Sequence, residues 1–171
     1  MLNWLLLSIT IFWCVGLYNR LMRLRARAQE ALGSVEKNLC TYTRLLDAQF
    51  PHEEGCYIPL EWAALVAAVK QLEGQCKEAR QARLQAAPLA ALALSVDAVE
   101  REWMLLCKLP ADLAGPLMPE AMQKSMDEAA LQVRSARRGF NQIVERYNQA
   151  LHQFPSSLVV SVLGFKPAGT L

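Results

Sequence analysis

The chain has 171 residues, of which 53% are hydrophobic and 20% are charged, and its formal net charge is +2. That length suits one soluble domain with one membrane span and excludes two domains of ordinary size. Because the net charge is close to balance, whole-protein electrostatics give no argument for nucleic acid as a partner.

The N-terminal end of the chain differs from the rest. Residues 1–19 carry no charged side chain and are rich in Leu, Ile, Phe, Trp and Val. Because a helix needs roughly 20 apolar residues to cross a bilayer core, we predict a transmembrane anchor here, with Trp4 and Tyr18 at its two interfaces. No Lys or Arg precedes the apolar run and no small-residue cleavage site follows it, so an uncleaved anchor is favoured over a signal peptide.

Four arginines follow the apolar run directly: Arg20, Arg23, Arg25 and Arg27. Basic residues beside a span stay on the cytoplasmic side, which predicts a single-pass topology with the N-terminus outside and the rest of the chain in the cytoplasm. The same side chains suit anionic lipid headgroups. They lack the interleaved aromatic residues that would favour nucleic acid.

Hydrophobic periodicity predicts four helices and no strand. The first helix covers residues 4–47, where apolar or small residues recur every three or four positions from Leu21 to Leu46. A turn follows, and Pro59 begins a second, alanine-rich helix that extends to about residue 87. Pro88 is expected to interrupt the chain before a third helix over residues 92–109.

The fourth predicted helix is the most regular. Its apolar stripe extends from Met122 to Phe154, and Pro155 ends it. Four helices with modest connections predict an all-α fold, in which the transmembrane helix continues into an antiparallel up-down bundle at residues 20–155. Because successive helices alternate in direction, the end of the fourth helix is expected to lie near the membrane. There the apolar C-terminal segment 156–171 either covers the base of the bundle or enters the lipid interface.

The fourth helix and the C-terminal segment carry a distinctive motif. Aromatic-Asn pairs recur seven residues apart, at Phe140-Asn141 and Tyr147-Asn148, and a Gly164-Phe165-Lys166-Pro167 ending follows. The motif also includes Ala136, Arg137, Val144, Leu151, Phe154, Pro155 and Leu158, with Tyr18, Asn19, Leu21, Leu24, Arg25 and Ala31 in the first helix. These residues resemble the LemA family of bacterial membrane proteins. The chain departs from the family pattern where Phe140 replaces a tyrosine and Ala130 replaces a glutamate.

The resemblance implies an N-terminal membrane anchor, a cytoplasmic antiparallel helical bundle and no known catalytic activity. It supplies no defined biochemical role. The family's usual sequence after the first helix is absent, because Leu45-Leu46-Asp47 leads into a different turn.

Two sets of residues are predicted to carry this architecture. The membrane-interface set contains Trp4, Tyr18, Arg20, Arg23, Arg25, Arg27, Phe165 and Lys166. The helix-packing set contains Tyr18, Asn19, Leu21, Leu24, Phe140, Asn141, Val144, Tyr147, Asn148, Leu151, Phe154 and Pro155. The heptad spacing of its aromatic residues is typical of a coiled-coil seam. The alternative is a ligand or partner groove lined by Tyr147 and the two asparagines.

The sequence predicts no catalytic or metal-binding constellation. His52 and His152 lie far apart, and no paired His or Cys spacing favours a metal site. The Glu53-Glu54 pair suits a solvated turn better than an acid/base pair. The five scattered cysteines indicate small buried thiols in a reducing compartment. We therefore expect no cofactor and no enzyme activity.

These features predict a non-enzymatic, membrane-anchored scaffold that self-assembles at the cytoplasmic face of the bacterial inner membrane. Confinement to a membrane plane raises the effective concentration of copies, so a homo-oligomer is expected. The alternative is an adaptor that binds another membrane protein or senses lipid through residues 158–165. A dry bundle interior would favour the scaffold, whereas a polar pocket would favour ligand binding or catalysis.

Overall fold

The computed structural model of the chain describes residues 2–48, 60–109, 119–153, 160 and 164–171. Within these ranges it contains four helices and no strand. The helices are α1 (Leu2–Asp47), α2 (Leu60–Ala82), α3 (Ala86–Cys107) and α4 (Glu120–His152). The predicted all-helical class is therefore confirmed for the part of the chain that is described.

Helix α1 is a single uninterrupted helix of 46 residues, as predicted, and at 1.5 Å per residue it is about 69 Å long. Its first described buried side chain is Leu21. From there a buried stripe extends to Leu46 in steps of mostly three, four or seven residues. The stripe follows from helical geometry, because residues at these spacings share one face and can pack against the same neighbouring helices.

The transmembrane part of the prediction is wrong. Over the residues that were described, no helix is both long and apolar enough to cross a bilayer. The described side chains between Ser8 and Asn19 include polar residues, and Ser8 Oγ donates a hydrogen bond to the Trp4 carbonyl at 2.9 Å. Polar side chains at Ser8, Thr10 and Asn19 interrupt the apolar run before the first charge, at Arg20. The single-pass topology inferred from the anchor is not supported either.

The corner between α2 and α3 also differs from the prediction. Helix α2 ends at Ala82 and α3 begins at Ala86, so the corner occupies only three residues. Pro88 does not interrupt a helix but lies in the first turn of α3. Backbone N–H groups in the first turn have no acceptor within the helix, so a proline at this position removes no helical hydrogen bond. The chain reverses at Arg83, whose φ of 53° lies in the left-handed region.

The four helices pack in an antiparallel arrangement. Helix α1 packs chiefly against α4, α2 packs chiefly against α3, and α1 also contacts α2. Ion pairs tie neighbouring helices together: Arg80–Glu36 joins α2 to α1, while Arg134–Glu100 and Arg137–Asp97 join α4 to α3. Asp97 and Glu100 of α3 pair with Arg137 and Arg134 of α4 in reverse order, so these two helices are antiparallel. Helices α2 and α3 pack together across a three-residue corner, so they are antiparallel as well.

The described core is apolar. Its largest fully buried side chains are Tyr42, Tyr147 and Phe140, surrounded by leucines from all four helices. Only Thr43 and Ser95 are buried polar residues among those described, and both hydroxyls donate to carbonyls of their own helix. These two groups are therefore satisfied locally and need no ligand.

The cysteines are only partly as expected. The described cysteines Cys14, Cys40, Cys76 and Cys107 are free thiols, but Cys40 is exposed. Burial raises the pKa of Cys76 to about 11, and the neighbouring Glu36 carboxylate acts in the same direction. Cys76 therefore stays protonated at neutral pH and behaves as an inert thiol.

Candidate functional site

Residues 164–171, here called the C-terminal tail, are held along α4 by two asparagines. The Asn148 side-chain amide donates to the Ala168 carbonyl at 2.9 Å, and the Ala168 N–H donates to Asn148 Oδ1 at 2.8 Å. Asn141 repeats the arrangement with Leu171, at 2.6 Å and 2.8 Å. Each asparagine thus uses donor and acceptor together and satisfies both backbone groups of one tail residue.

The spacing of the two asparagines matches the tail. Residues seven apart lie on the same helix face and are separated by about 10.5 Å along the axis. Three residues of extended chain, the step from Ala168 to Leu171, cover about 10 Å. Because Ala168 pairs with Asn148 and Leu171 pairs with Asn141, the tail lies antiparallel to α4.

Tyr147 and Gly169 tie the tail to two different parts of the bundle. The Tyr147 hydroxyl donates to the Lys166 carbonyl at 3.1 Å, and the Gly169 N–H donates to the Leu84 carbonyl at 3.1 Å. Burial raises the pKa of the Tyr147 hydroxyl, and the nearby Arg25 guanidinium acts in the opposite direction. The tail therefore bridges α4 and the α2–α3 corner.

The aromatic residues at either end of the motif also meet. The rings of Tyr18 and Phe165 lie 6.0 Å apart at an interplanar angle of 62°, an edge-to-face contact. Two members of the predicted membrane-interface set are thus brought together where α1 enters the bundle. Lys166, the next residue after Phe165, is exposed. Trp4 lies closer to the N-terminus of α1, with 75% of its surface exposed.

Basic side chains surround α1 at this end of the bundle. A groove of about 360 Å³ between α1 and α4 is lined by Arg20, Arg23, Arg27 and Arg146. A cavity of about 460 Å³ on the other side of α1 is lined by Arg25, Arg83 and Lys166. All four arginines that were predicted at the interface therefore line one of these two spaces. None of the ion pairs between described residues involves any of the seven cations.

The helix-packing set divides between core and tail contacts. The buried members are Leu21, Phe140, Val144, Tyr147 and Leu151, and Leu24 is half-buried. Asn19 is exposed, and its backbone carbonyl accepts a hydrogen bond from Arg23 Nε at 3.3 Å. Phe154 and Pro155 lie outside the described residues. The aromatic residues thus pack in the core, while the adjacent asparagines bind the tail.

Sequence reasoning missed Arg83, Arg146 and Gly169. The two arginines join the basic end only through tertiary packing, and no spacing in the sequence connects them to the first helix. For Gly169 a signal exists in hindsight: a glycine in a tail that follows regularly spaced asparagines indicates a close backbone approach.

The fold and the tail contacts define an all-α protein, a bundle of antiparallel helices whose C-terminal tail is held on its last helix. Residues 112–171, about a third of the chain, match a family model described as LemA family, so this part of the chain is similar to that family. The match covers α4 and the tail, so the resemblance predicted from these residues is confirmed. Similarity to this family is consistent with membrane association. No curated protein and no solved structure matches the chain.

Replacing Asn148 by Ala removes both hydrogen bonds to Ala168 and leaves two backbone groups without their partner. We expect the free energy of unfolding, measured by urea titration with circular dichroism, to fall by about 1–3 kcal/mol. Gln142→Ala, on the exposed side of the same helix, is the control and should change it by less than about 0.5 kcal/mol. Equal values for the two variants would contradict the role of Asn148.

Gly169→Ala tests the close approach of the tail to α3. A Cβ atom at residue 169 would lie 2.5 Å from the backbone Cα of Ala86, so the tail or the helix must move. We expect a loss of about 1–3 kcal/mol in the same unfolding measurement. Gly139→Ala is the matched control, because its Cβ meets nothing within 4 Å and alanine favours the helix. A Gly169→Ala protein as stable as the control would refute this contact.

Proposed function

We propose that this protein is a non-enzymatic helical scaffold that associates with a membrane surface and assembles with copies of itself. The observation that carries the proposal is the exposed apolar surface of α1 before Leu21. The exposed large side chains there are Trp4, Ile9, Ile11, Phe12, Trp13 and Val15. Contiguous apolar surface of this kind marks a contact with lipid or with protein.

The basic end of the bundle favours lipid as the neighbour of this surface. The arginines begin directly after the apolar part of α1, and the groove and cavity bring Arg83, Arg146 and Lys166 to the same end. Cations beside an apolar surface are suited to anionic headgroups, each contributing about 1 kcal/mol near the membrane. We place the protein at the cytoplasmic face of the bacterial inner membrane, with α1 in contact with the bilayer rather than crossing it.

The interior supports a scaffold better than an enzyme. The described core is mostly apolar, and the hydroxyls of its buried Thr43 and Ser95 donate to backbone carbonyls. A catalytic site in the bundle would need titratable groups facing a cavity there. The described polar spaces are open at the surface of the bundle. Two lie at the basic end, and one of about 270 Å³ lies between α1 and α2, where its lining includes Glu36, Cys76 and Arg80.

Exposed apolar residues on the outer faces of α3 and α4 support self-assembly. Leu94 is 70% exposed, and Met104, Leu105 and Leu131 each expose more than half of their surface. Copies held at one membrane would meet at a raised effective concentration, so modest contacts between these faces suffice. The same side chains would serve an adaptor that binds a different membrane protein, which is the second candidate.

Membrane association is tested by flotation of the full-length protein with vesicles of phosphatidylcholine and phosphatidylglycerol. Replacing Phe12 and Trp13 by Glu puts two charges into the apolar surface of α1, and we expect binding to weaken more than about tenfold. Leu60→Glu, a similar change at an exposed leucine of α2 outside both proposed contacts, should leave flotation unchanged. If the Phe12/Trp13 variant floats like the unchanged protein, the proposed lipid contact is wrong.

Assembly is tested by native mass spectrometry of the full-length protein released from detergent. The scaffold predicts one defined oligomer, and Leu94→Glu should shift it toward smaller species because a charge enters the proposed contact. Gln142→Ala serves as the control. A monomer carrying a second protein would favour the adaptor instead, and a bare monomer at high concentration would contradict self-assembly.

A further inference from the structure

The cavity beside Arg25, here called the basic cavity, lies where α1, α4, the α2–α3 corner and the tail meet. It has a volume of about 460 Å³, within the range of small-molecule sites. Its polar lining consists of Arg25, Arg83, Lys166, Tyr147, Gln81 and Gln85. No carboxylate is among its described lining residues.

The three cations of the basic cavity have no ion-pair partner within the described chain. The acidic groups that pair with arginines are Glu36, Asp97 and Glu100, and none of them lines the basic cavity. Three positive charges that face one space repel each other, and this repulsion is relieved when an anion enters between them. The packing of the helices thus creates a positive potential without a counter-charge from this part of the chain.

Arg83 adds an independent observation, because its backbone is strained. Its φ of 53° is in the left-handed region, where a non-glycine residue costs about 1–2 kcal/mol. It directly follows the last residue of α2, where glycine or asparagine would close the helix with less strain. A strained arginine that lines a cavity indicates that its side chain has a role beyond forming the turn.

We propose that the basic cavity binds a phosphate group. The planar guanidinium groups of Arg25 and Arg83 suit paired hydrogen bonds to phosphate oxygens, and Lys166 adds a mobile point charge. The amides of Gln81 and Gln85 supply neutral donors at the rim. A lipid headgroup and a soluble phosphate ester present the same chemistry. The lipid source rests on the proposed membrane association, whereas binding of soluble phosphate does not.

The first variant for this proposal is Arg83→Gly. Glycine adopts a positive φ without strain, so the variant removes the charge while its folded state should be at least as stable as the original. Lys166→Ala is the second variant, because it keeps the carbonyl that accepts from Tyr147. Arg101→Ala, an exposed arginine of α3 outside the cavity, is the matched control.

The experiment is isothermal titration of the full-length protein in non-ionic detergent with inorganic phosphate and with glycerol 3-phosphate, at constant ionic strength. We expect saturable binding that Arg83→Gly weakens at least about tenfold, the loss typical of one charge-assisted contact, while Arg101→Ala leaves it unchanged. Lys166→Ala should weaken binding by a smaller factor, since its ammonium is a single mobile contact.

The vesicle arm identifies the source of the phosphate. If soluble phosphates do not bind but vesicles containing phosphatidylglycerol bind the original protein several-fold more tightly than Arg83→Gly, a headgroup occupies the cavity. Equal binding of the original protein and both cavity variants in every arm would overturn the proposal. The two proposals fail separately. If flotation is intact but no binding depends on Arg83, only the cavity proposal is rejected; if soluble phosphate binds through Arg83 but the Phe12/Trp13 variant floats like the original protein, only the lipid contact of α1 is rejected.

Discussion

Two asparagines on one face of α4 each form a pair of hydrogen bonds with the backbone of the C-terminal tail. The two pairs fix the register of the tail, because Asn148 binds Ala168 and Asn141 binds Leu171. Once this register is set, Gly169 lies against α3 and donates to the Leu84 carbonyl. The tail thereby joins the helix that packs on α1 to the corner of the other helix pair.

The basic end of the bundle depends on the same interaction. Lys166 is in the tail and Arg83 is in the corner, and both line one cavity with Arg25 of α1. If the tail were displaced, the cavity would lose Lys166 and the Tyr147 hydroxyl would lose its acceptor. The position of the tail therefore controls the arrangement of charge beside the exposed apolar surface of α1.

Much of the helical architecture could be predicted from the sequence, because it follows from local periodicity. The buried stripes of α1 and α4 recur every three or four residues, so the long helices and their antiparallel order were predictable. The α2–α3 corner was not, since Pro88 fits both a helix break and a first turn. The apolar residues 1–19 satisfy a length criterion for a span, but no helix of the described residues is both long and apolar enough to cross a membrane.

The candidate site was predictable only in part. The heptad spacing of Asn141 and Asn148 was visible, and a groove was one of two interpretations of it. The occupant was not visible, because Ala168 and Leu171 lie 20 and 30 residues away and the tail has no periodicity of its own. Arg83 and Arg146 reach the basic end through packing alone, which no local pattern in the sequence encodes.

The most direct test of the account is hydrogen exchange of the tail amides, measured by NMR on the full-length protein. The hydrogen bonds of Ala168, Gly169 and Leu171 predict exchange slowed well beyond the rate of a free chain, at a level comparable to the amides of α4. If these three amides exchanged at the free-chain rate while the amides of α4 stayed protected, the tail would not be held on the helix and the account would be contradicted.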